Sequence, residues 1–207
     1  MPGSSRQIAT ALQRLAVFWR ASQWQVFGAA GLNPTQGEVL LRVAARPERA
    51  AELAALLGVS QASLSDTVSA LAKKGLVVRR PDPDDGRARR IEATAAGHSL
   101  AKRIPEAPEA LFGAIAGLGD AERGALLRSL TQVIRSLQEA RAIPVQRMCV
   151  TCRYFRPHVH DDAAAPHHCA LVDAAFGDAG LRMDCGDHET ATAEQAALAG
   201  ARLLAVG

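Results

Sequence analysis

No cysteine occurs in the first 148 residues of this 207-residue chain. A disulfide or thiolate-metal framework is thereby excluded from most of the sequence. Aromatic side chains make up only 4%, which argues against a strand-rich fold, because pleated surfaces favour aromatic and β-branched residues. No apolar run approaches the roughly 20 residues of a membrane span. The start, MPGSSRQIAT, has no basic segment leading into an apolar stretch, so we read no leader peptide, no membrane partner and a cytoplasmic location. What is plentiful is alanine and leucine. Hydrophobic residues reach 48%, enough for one or two mainly helical domains with proper cores.

Charge and chemistry are unevenly spread. Residues 1–144 hold 19 Lys and Arg against 13 Asp and Glu, whereas residues 145–207 hold 5 against 8. Five of six histidines and all four cysteines lie in the second stretch. We therefore expect two units, 1–144 suited to an anionic partner and 145–207 a separate chemical segment.

Helical spacing of Ile8, Leu12, Leu15, Phe18 or Trp19, and Val26 predicts a long first helix over 6–27. A second helix starts at GLNPTQGEVLLRVAA, capped by Asn33 or Thr35, with Pro34 in its first turn and Val39, Leu40 and Val43 inward. In ERAAELAALLGVSQASLSDTVSALAKKGLVVRR, one helix buries Leu53, Leu56 and Leu57 and stops at Gly58. Ser60 then caps another, whose inner face is Leu64, Val68 and Leu71. This is a helix-turn-helix unit. Two β-branched runs, Leu76–Arg80 and Arg89–Thr94, joined by PDPDDG, read as a hairpin. Thr94 caps the next helix, which Pro105 and Pro108 interrupt. A further amphipathic helix carries Leu126, Leu127, Leu130, Val133, Ile134 and Leu137 on one side, and TATAEQAALAGARLLAVG closes the chain as a helix.

The hairpin stretch VRRPDPDDGRARRIEAT places five arginines in two clusters around a tight polar turn. A hairpin directly after a helix-turn-helix is a wing, and guanidinium groups there suit phosphate. From AAELAALLGVSQASLSDTVSALAKKGLVVRRPDPDDGRARRIEATAAG, with Asp85, Arg87 and Arg90 in the wing and T-x-x-G at the following helix, the sequence resembles the MarR family of winged-helix regulators over roughly residues 6–142. The resemblance implies a homodimer whose first and last helices pack together. Each subunit would give one reading helix and one wing to a palindromic operator in double-stranded DNA. It also implies a regulator and not an enzyme.

On that reading, short polar side chains near the start of the second helix of the pair face base edges: Gln61, Ser63, Ser65 and Thr67. Lys73, Lys74, Arg79 and Arg80 lie along the phosphate backbone. Arg87 or Arg89 tips the wing at the minor groove, with Arg90 beside them. Asp85 holds the wing's shape by pairing with an arginine. Members of this family often bind small aromatic acids, and Trp19, Arg20 and Trp24 form a candidate effector pocket. The competing assignment of these aromatics is to the dimer core.

The tail, CVTCRYFRPHVHDDAAAPHHCALVDAAFGDAGLRMDCGDHE, lies outside the family pattern. Cys149, Cys152, Cys169 and Cys185 span 37 residues with one C-x2-C pair. Two thiolates from a tight turn and two more complete a tetrahedron around a structural zinc ion. The same four thiolates suit an iron–sulfur cluster, which would make the protein a redox or iron sensor. His168 and His188 are candidate substitutes or supports for a thiolate.

The expected fold is mainly α: a winged helix-turn-helix with an α/β wing, long dimerisation helices and a small metal-binding C-terminal segment. The expected function is a homodimeric repressor that blocks a promoter sterically. The alternatives are a metal-dependent enzyme or a protein-docking module carrying a helix-turn-helix. Four thiolates leave no open metal position for substrate, which weighs against the enzyme.

Overall fold

The computed structural model describes residues 3–83, 85, 87–105 and 108–204. Two compact units divide the chain after Gly113. The cut falls earlier than the change in composition at 144/145, because the long amphipathic helix packs with the cysteine segment.

The first unit starts with α1 (Gly3–Ala29), of which only Phe27 is buried. Next comes α2 (Pro34–Ala45). Asn33 caps it by accepting the Gln36 amide at 2.9 Å, and the Gln36 side chain returns to the Asn33 amide. That satisfies two of the four N–H groups a helix start leaves without partners. Strand β1 (Glu48–Arg49) leads into α3 (Ala50–Leu57). Gly58 closes α3 at φ 63°, a left-handed conformation that favours glycine, and lets the chain turn sharply. Ser60 caps α4 (Gln61–Lys73) through the Ser63 amide. Strands β2 (Val77–Pro81) and β3 (Arg89–Ala93) form the wing, and β1 adds antiparallel to β3, giving the order β1-β3-β2. Strand β1 is an element that helical spacing alone assigns to the helix following it. Of the PDPDDG connection, Asp84 and Gly86 lie outside the described residues.

The core of this unit is built as the spacing predicts. Val39, Leu40 and Val43 from α2, Leu53 from α3, Leu64, Val68 and Leu71 from α4, and Ile91 from β3 are all at most 1% exposed. Leu56 and Leu57, expected inward, are only half-buried, and Ala54 takes the second inner position of α3. Helix α5 (Ala95–Ala101) starts at the Thr94 cap. The Thr94 hydroxyl also donates to the Gly75 carbonyl at 2.7 Å. Gly97 is required by close approach, since a β-carbon there would stand 2.1 Å from the Leu76 carbonyl oxygen. This accounts for the T-x-x-G pattern in physical terms. Helix α5 ends before Pro105, and α6 (Glu109–Ala116) begins after Pro108.

The second unit is organised on α7 (Asp120–Glu139). Its apolar residues share one side spanning about 120°, as expected, but only one edge of that side is buried. Gly124, Thr131 and Gln138 are buried, and Leu127 and Ile134 pack in the same core, at spacings of three and four. A second stripe, Leu126, Val133 and Leu137, is exposed. The two stripes are offset by one residue, about 100° around a helix. A 3-10 turn (Cys149–Thr151), strands β4 (Phe155–Arg156), β5 (His167–Cys169) and β6 (Ala174–Phe176), a second 3-10 turn (Asp178–Gly180) and α8 (Ala193–Leu204) complete the unit. The strands form an antiparallel sheet in the order β4-β5-β6. Met148, Val150, Phe155, Leu181 and Leu203 are its buried core. The tail is thus a folded segment with its own sheet. Residues 205–207, expected within the closing helix, lie outside the described ones. Among the described residues no helix is long and apolar enough to cross a membrane.

Candidate functional site

Helix α4 buries its leucine and valine stripe and so turns the opposite side outward. Gln61, Ser63 and Ser65 are exposed and Thr67 half-exposed. Thr67 donates its hydroxyl to the Ser63 carbonyl at 2.8 Å, which leaves that oxygen as an acceptor only. Gln61, Ser63 and Ser65 therefore carry most of the donor capacity of this surface.

The wing is shaped by Asp82, which composition does not single out among three neighbouring aspartates. Its side chain is 0% exposed. It accepts Arg49 Nε at 2.7 Å, Arg49 Nη2 at 2.9 Å, Arg90 Nε at 2.7 Å and the Asp85 amide at 3.1 Å. Its negative charge raises the Arg49 pKa further above the ordinary guanidinium range, the hydrogen bond being the larger cause. Asp82 thus does the arginine pairing expected of Asp85. The Asp85 carboxylate instead accepts the Arg87 amide at 3.0 Å and folds the tip. The one local signal for Asp82 is its position after a strand with Arg90 eight residues on. Arg49 is too remote to be paired with it by spacing.

The cations divide into two groups. Arg90 is committed to Asp82. Arg79 donates to the Ser65 carbonyl at 3.2 Å and to the Ser69 hydroxyl at 3.0 Å, tying β2 to α4. Lys74 donates to the Gly31 carbonyl at 2.6 Å and to Gln36 Oε1 at 3.0 Å, bracing the start of α2. Lys74 and Arg79, expected on phosphates, and Arg90, expected in the wing beside Arg87 and Arg89, each hold the fold together. Lys73, Arg80, Arg87 and Arg89 are exposed, and Arg80 meets Glu92 only at 3.9 Å. Gln61, Ser65, Arg79 and Ile91 line a cavity of about 200 Å³.

Of the candidate effector residues, Trp24 is 59% exposed, Arg20 exposed and Trp19 half-buried. They stand on one helix with Ile8, Leu12, Leu15 and Phe18, which are exposed as well.

In the second unit all four cysteines are free thiols and line one cavity of about 310 Å³. Among the described residues no three His, Cys, Asp or Glu side chains form a group suited to a single metal ion. Burial pushes the Cys149 thiol pKa up, and the Arg182 amide, donating to its sulfur at 3.2 Å, opposes this. The two candidate histidines do not line the cavity. His168 pairs with Asp173 at 3.3 Å and His160 at 3.2 Å, and His188 Nε2 meets the Thr151 hydroxyl at 3.0 Å. The buried histidine is His167, which no spacing in the sequence marks. Its Nδ1 accepts the His158 amide at 3.4 Å, so Nε2 carries the proton and donates to Asp178 at 2.9 Å. Asp178 also meets Arg128 of α7 at 3.6 Å. The His158 pKa is lowered by burial first and by His167 second.

A MarR family model matches residues 30–88, the segment from the start of α2 into the wing. Solved structures extend the likeness. A MarR transcriptional regulator from Methanosarcina mazei Go1 is 20% identical, with 65% of this chain and 99% of that one covered and a TM-score of 0.54. The transcriptional regulator BldR from Sulfolobus solfataricus is 22% identical over 66% and 99%, with a TM-score of 0.52. MepR of S. aureus, solved as a MepR–DNA complex, is 19% identical over 63% and 98%, also at 0.52. No curated protein matches the chain. These likenesses show the winged helix-turn-helix fold over about two thirds of the chain.

Proposed function

We propose that this chain is a sequence-specific DNA-binding regulator of the MarR type, acting as a homodimeric repressor and not as an enzyme. The observation that carries this is the outward polar row of α4 beside a wing held in shape by a buried aspartate. A helix with Gln61, Ser63 and Ser65 outward suits the major groove, and Arg87 and Arg89 suit phosphate or the minor groove. Asp82 prepays the ordering of the wing, so its exposed arginines lose little freedom on binding. The solved MepR–DNA complex on the same fold supports the same partner here.

Self-association is favoured by apolar faces left open on each unit: Leu12, Leu15 and Phe18 on α1, and Leu126, Val133 and Leu137 on α7. Exposed apolar stripes of this kind commonly mark interaction surfaces. We assign Trp19 to this face, from which Trp24, nine residues beyond Leu15, points about 180° away around α1; an aromatic-acid pocket of Trp19 and Trp24 beside Arg20 is the second reading. A two-fold dimer reads a palindromic operator, and by covering a promoter it represses. The four cysteines of the second unit are assigned to a thiolate-ligated metal centre, of zinc or of iron and sulfide, for which their shared cavity is the support.

Binding of a labelled genomic duplex across a salt series tests the DNA reading. Lys73, Arg80, Arg87 and Arg89 from two subunits give a log–log slope of about −7 if all contact phosphate. A flat salt response, or equal affinity for every fragment, refutes it.

A further inference from the structure

The four cysteines reach their shared cavity on three pieces of backbone, each of them pinned. Cys149 and Cys152 sit at the start and just beyond the end of one 3-10 turn, with the Cys152 amide donating to the Cys149 carbonyl at 2.9 Å. Cys169 ends β5, opposite Phe155. Cys185 follows a loop whose return is fixed by its amide donating to the Arg147 carbonyl at 2.8 Å. Tyr154, Phe155, Leu171 and Phe176 supply much of the remaining wall.

We infer that this cavity holds an iron–sulfur cluster bound by Cys149, Cys152, Cys169 and Cys185, rather than a single zinc ion. The inference rests on the reading of the second unit as a thiolate metal centre and deepens it. Size is the first argument. Four thiolates at about 2.3 Å from one zinc ion stand within about 4 Å of one another, and enclose no space beyond the ion itself. Here the thiols are four of the thirteen residues around a cavity of about 310 Å³, and among the described residues no three His, Cys, Asp or Glu side chains form a group suited to a single ion. In a cluster each thiolate binds a different corner of an inorganic core, or one of two irons, so the sulfurs stand further apart around a volume the core fills.

Lining is the second argument. A structural zinc site needs no apolar chamber, whereas a core of iron and sulfide is kept from water by aromatic and aliphatic side chains such as those present here. The Arg182 amide already donates to the Cys149 sulfur, a contact of the kind that tunes thiolates on a cluster. The ligand count is the third. His168 and His188 are engaged elsewhere, which leaves four thiolates, the set that both common cluster types use.

The full-length chain, incubated anaerobically with ferric iron, sulfide and a reducing thiol that supplies the electrons a four-iron core requires, is compared with the same chain given zinc sulfate alone. After desalting, the expected result is a brown protein with broad visible absorption, retaining iron and sulfide in equal amounts, about two or four of each per chain. Cys169→Ser and Cys185→Ser should lose most of that iron, while His168→Ala and His188→Ala keep it. The wild-type stoichiometry decides the matter even if a serine variant fails to fold. Uptake of one zinc per chain with no iron and sulfide retained overturns the cluster and leaves the thiolate centre standing. Retention of no metal in either arm overturns both. Neither outcome touches the DNA reading, which the salt series tests separately.

Discussion

Replacing Asp82 by alanine should unfold the wing before it touches any DNA-facing group. The carboxylate receives three guanidinium N–H bonds and one amide, and its side chain is fully buried. Removing one partner of a buried ion pair costs about 3–5 kcal/mol, since the other charge is left unpaired. Here the arginine side chains are 35% and 30% exposed, so both can rehydrate in part, which trims the loss to about 2–3 kcal/mol. For a unit of roughly 100 residues that is a fall of about 10–20 °C in Tm. Differential scanning calorimetry and duplex affinity are measured together on Asp82→Ala, Asp82→Asn and Asp85→Ala. Asp82→Asn should fall between wild type and alanine, because the amide keeps an acceptor but loses the charge. Asp85→Ala, exposed and holding one amide, should cost under about 0.5 kcal/mol. Melting of Asp82→Ala within a degree or two of Asp85→Ala would refute the assignment of the wing's architecture to Asp82.

Other outcomes follow from the same contacts. Gly97→Ala drives a methyl into the Leu76 carbonyl and should lose about 1–3 kcal/mol despite alanine's better helix propensity, read by urea denaturation. Arg89→Ala should weaken all duplexes alike and make the salt slope shallower by about 1 for each phosphate it ceases to neutralise, whereas Gln61→Ala should narrow the gap between operator and random duplex; the reverse pattern would exchange their roles. Leu12→Glu places a charge on the open face of α1 and should shift sedimentation from dimer to monomer, while helical circular dichroism stays unchanged. Tyr154 donates to Glu189 at 2.5 Å and, with Arg153, lowers that carboxyl below 4.5. The contribution is present above the unfolded value of 4.5 and is lost as pH falls through the folded one. Tyr154→Phe should return the Glu189 carboxyl toward 4.5 in an NMR titration, and an unchanged midpoint would remove the hydroxyl as the cause.

The first unit is largely legible because most of its elements announce themselves locally. Asn33, Ser60 and Thr94 cap where they stand in sequence, Gly58 turns where a left-handed residue is needed, and the Leu64, Val68 and Leu71 stripe has a single period. Strand β1 is hidden because two residues carry no period at all, and its pairing with β3 joins residues far apart in sequence. The role of Asp82 is hidden for a related reason. Three aspartates in a polar turn look alike until Arg49 arrives from another element.

The second unit is harder to read, in two ways. Helix α7 shows one broad apolar side on a helical wheel, but its buried stripe runs through Gly124, Thr131 and Gln138, which hydropathy does not mark. The strands β4, β5 and β6 are two or three residues long, and the cysteines and histidines among them draw attention to ligation in place of pairing. His167 escapes notice because its value is steric and hydrogen-bonded: it packs edge-on against both Phe155 and Phe176 and hydrogen-bonds Asp178 through Nε2.

Arg49 stands immediately before α3, and Arg90 stands in the middle sheet strand, so one carboxylate clasps the hairpin to the opening of the helix pair. Reading helix and wing therefore form one stiff jaw, with Arg79 as a second rivet between them. If two such jaws grip DNA as proposed, neither can adjust its bite to a half-site. On that reading a signal that loosens the hold would have to change how far apart the jaws are set, and discrimination between operators becomes a matter of spacing as much as of bases.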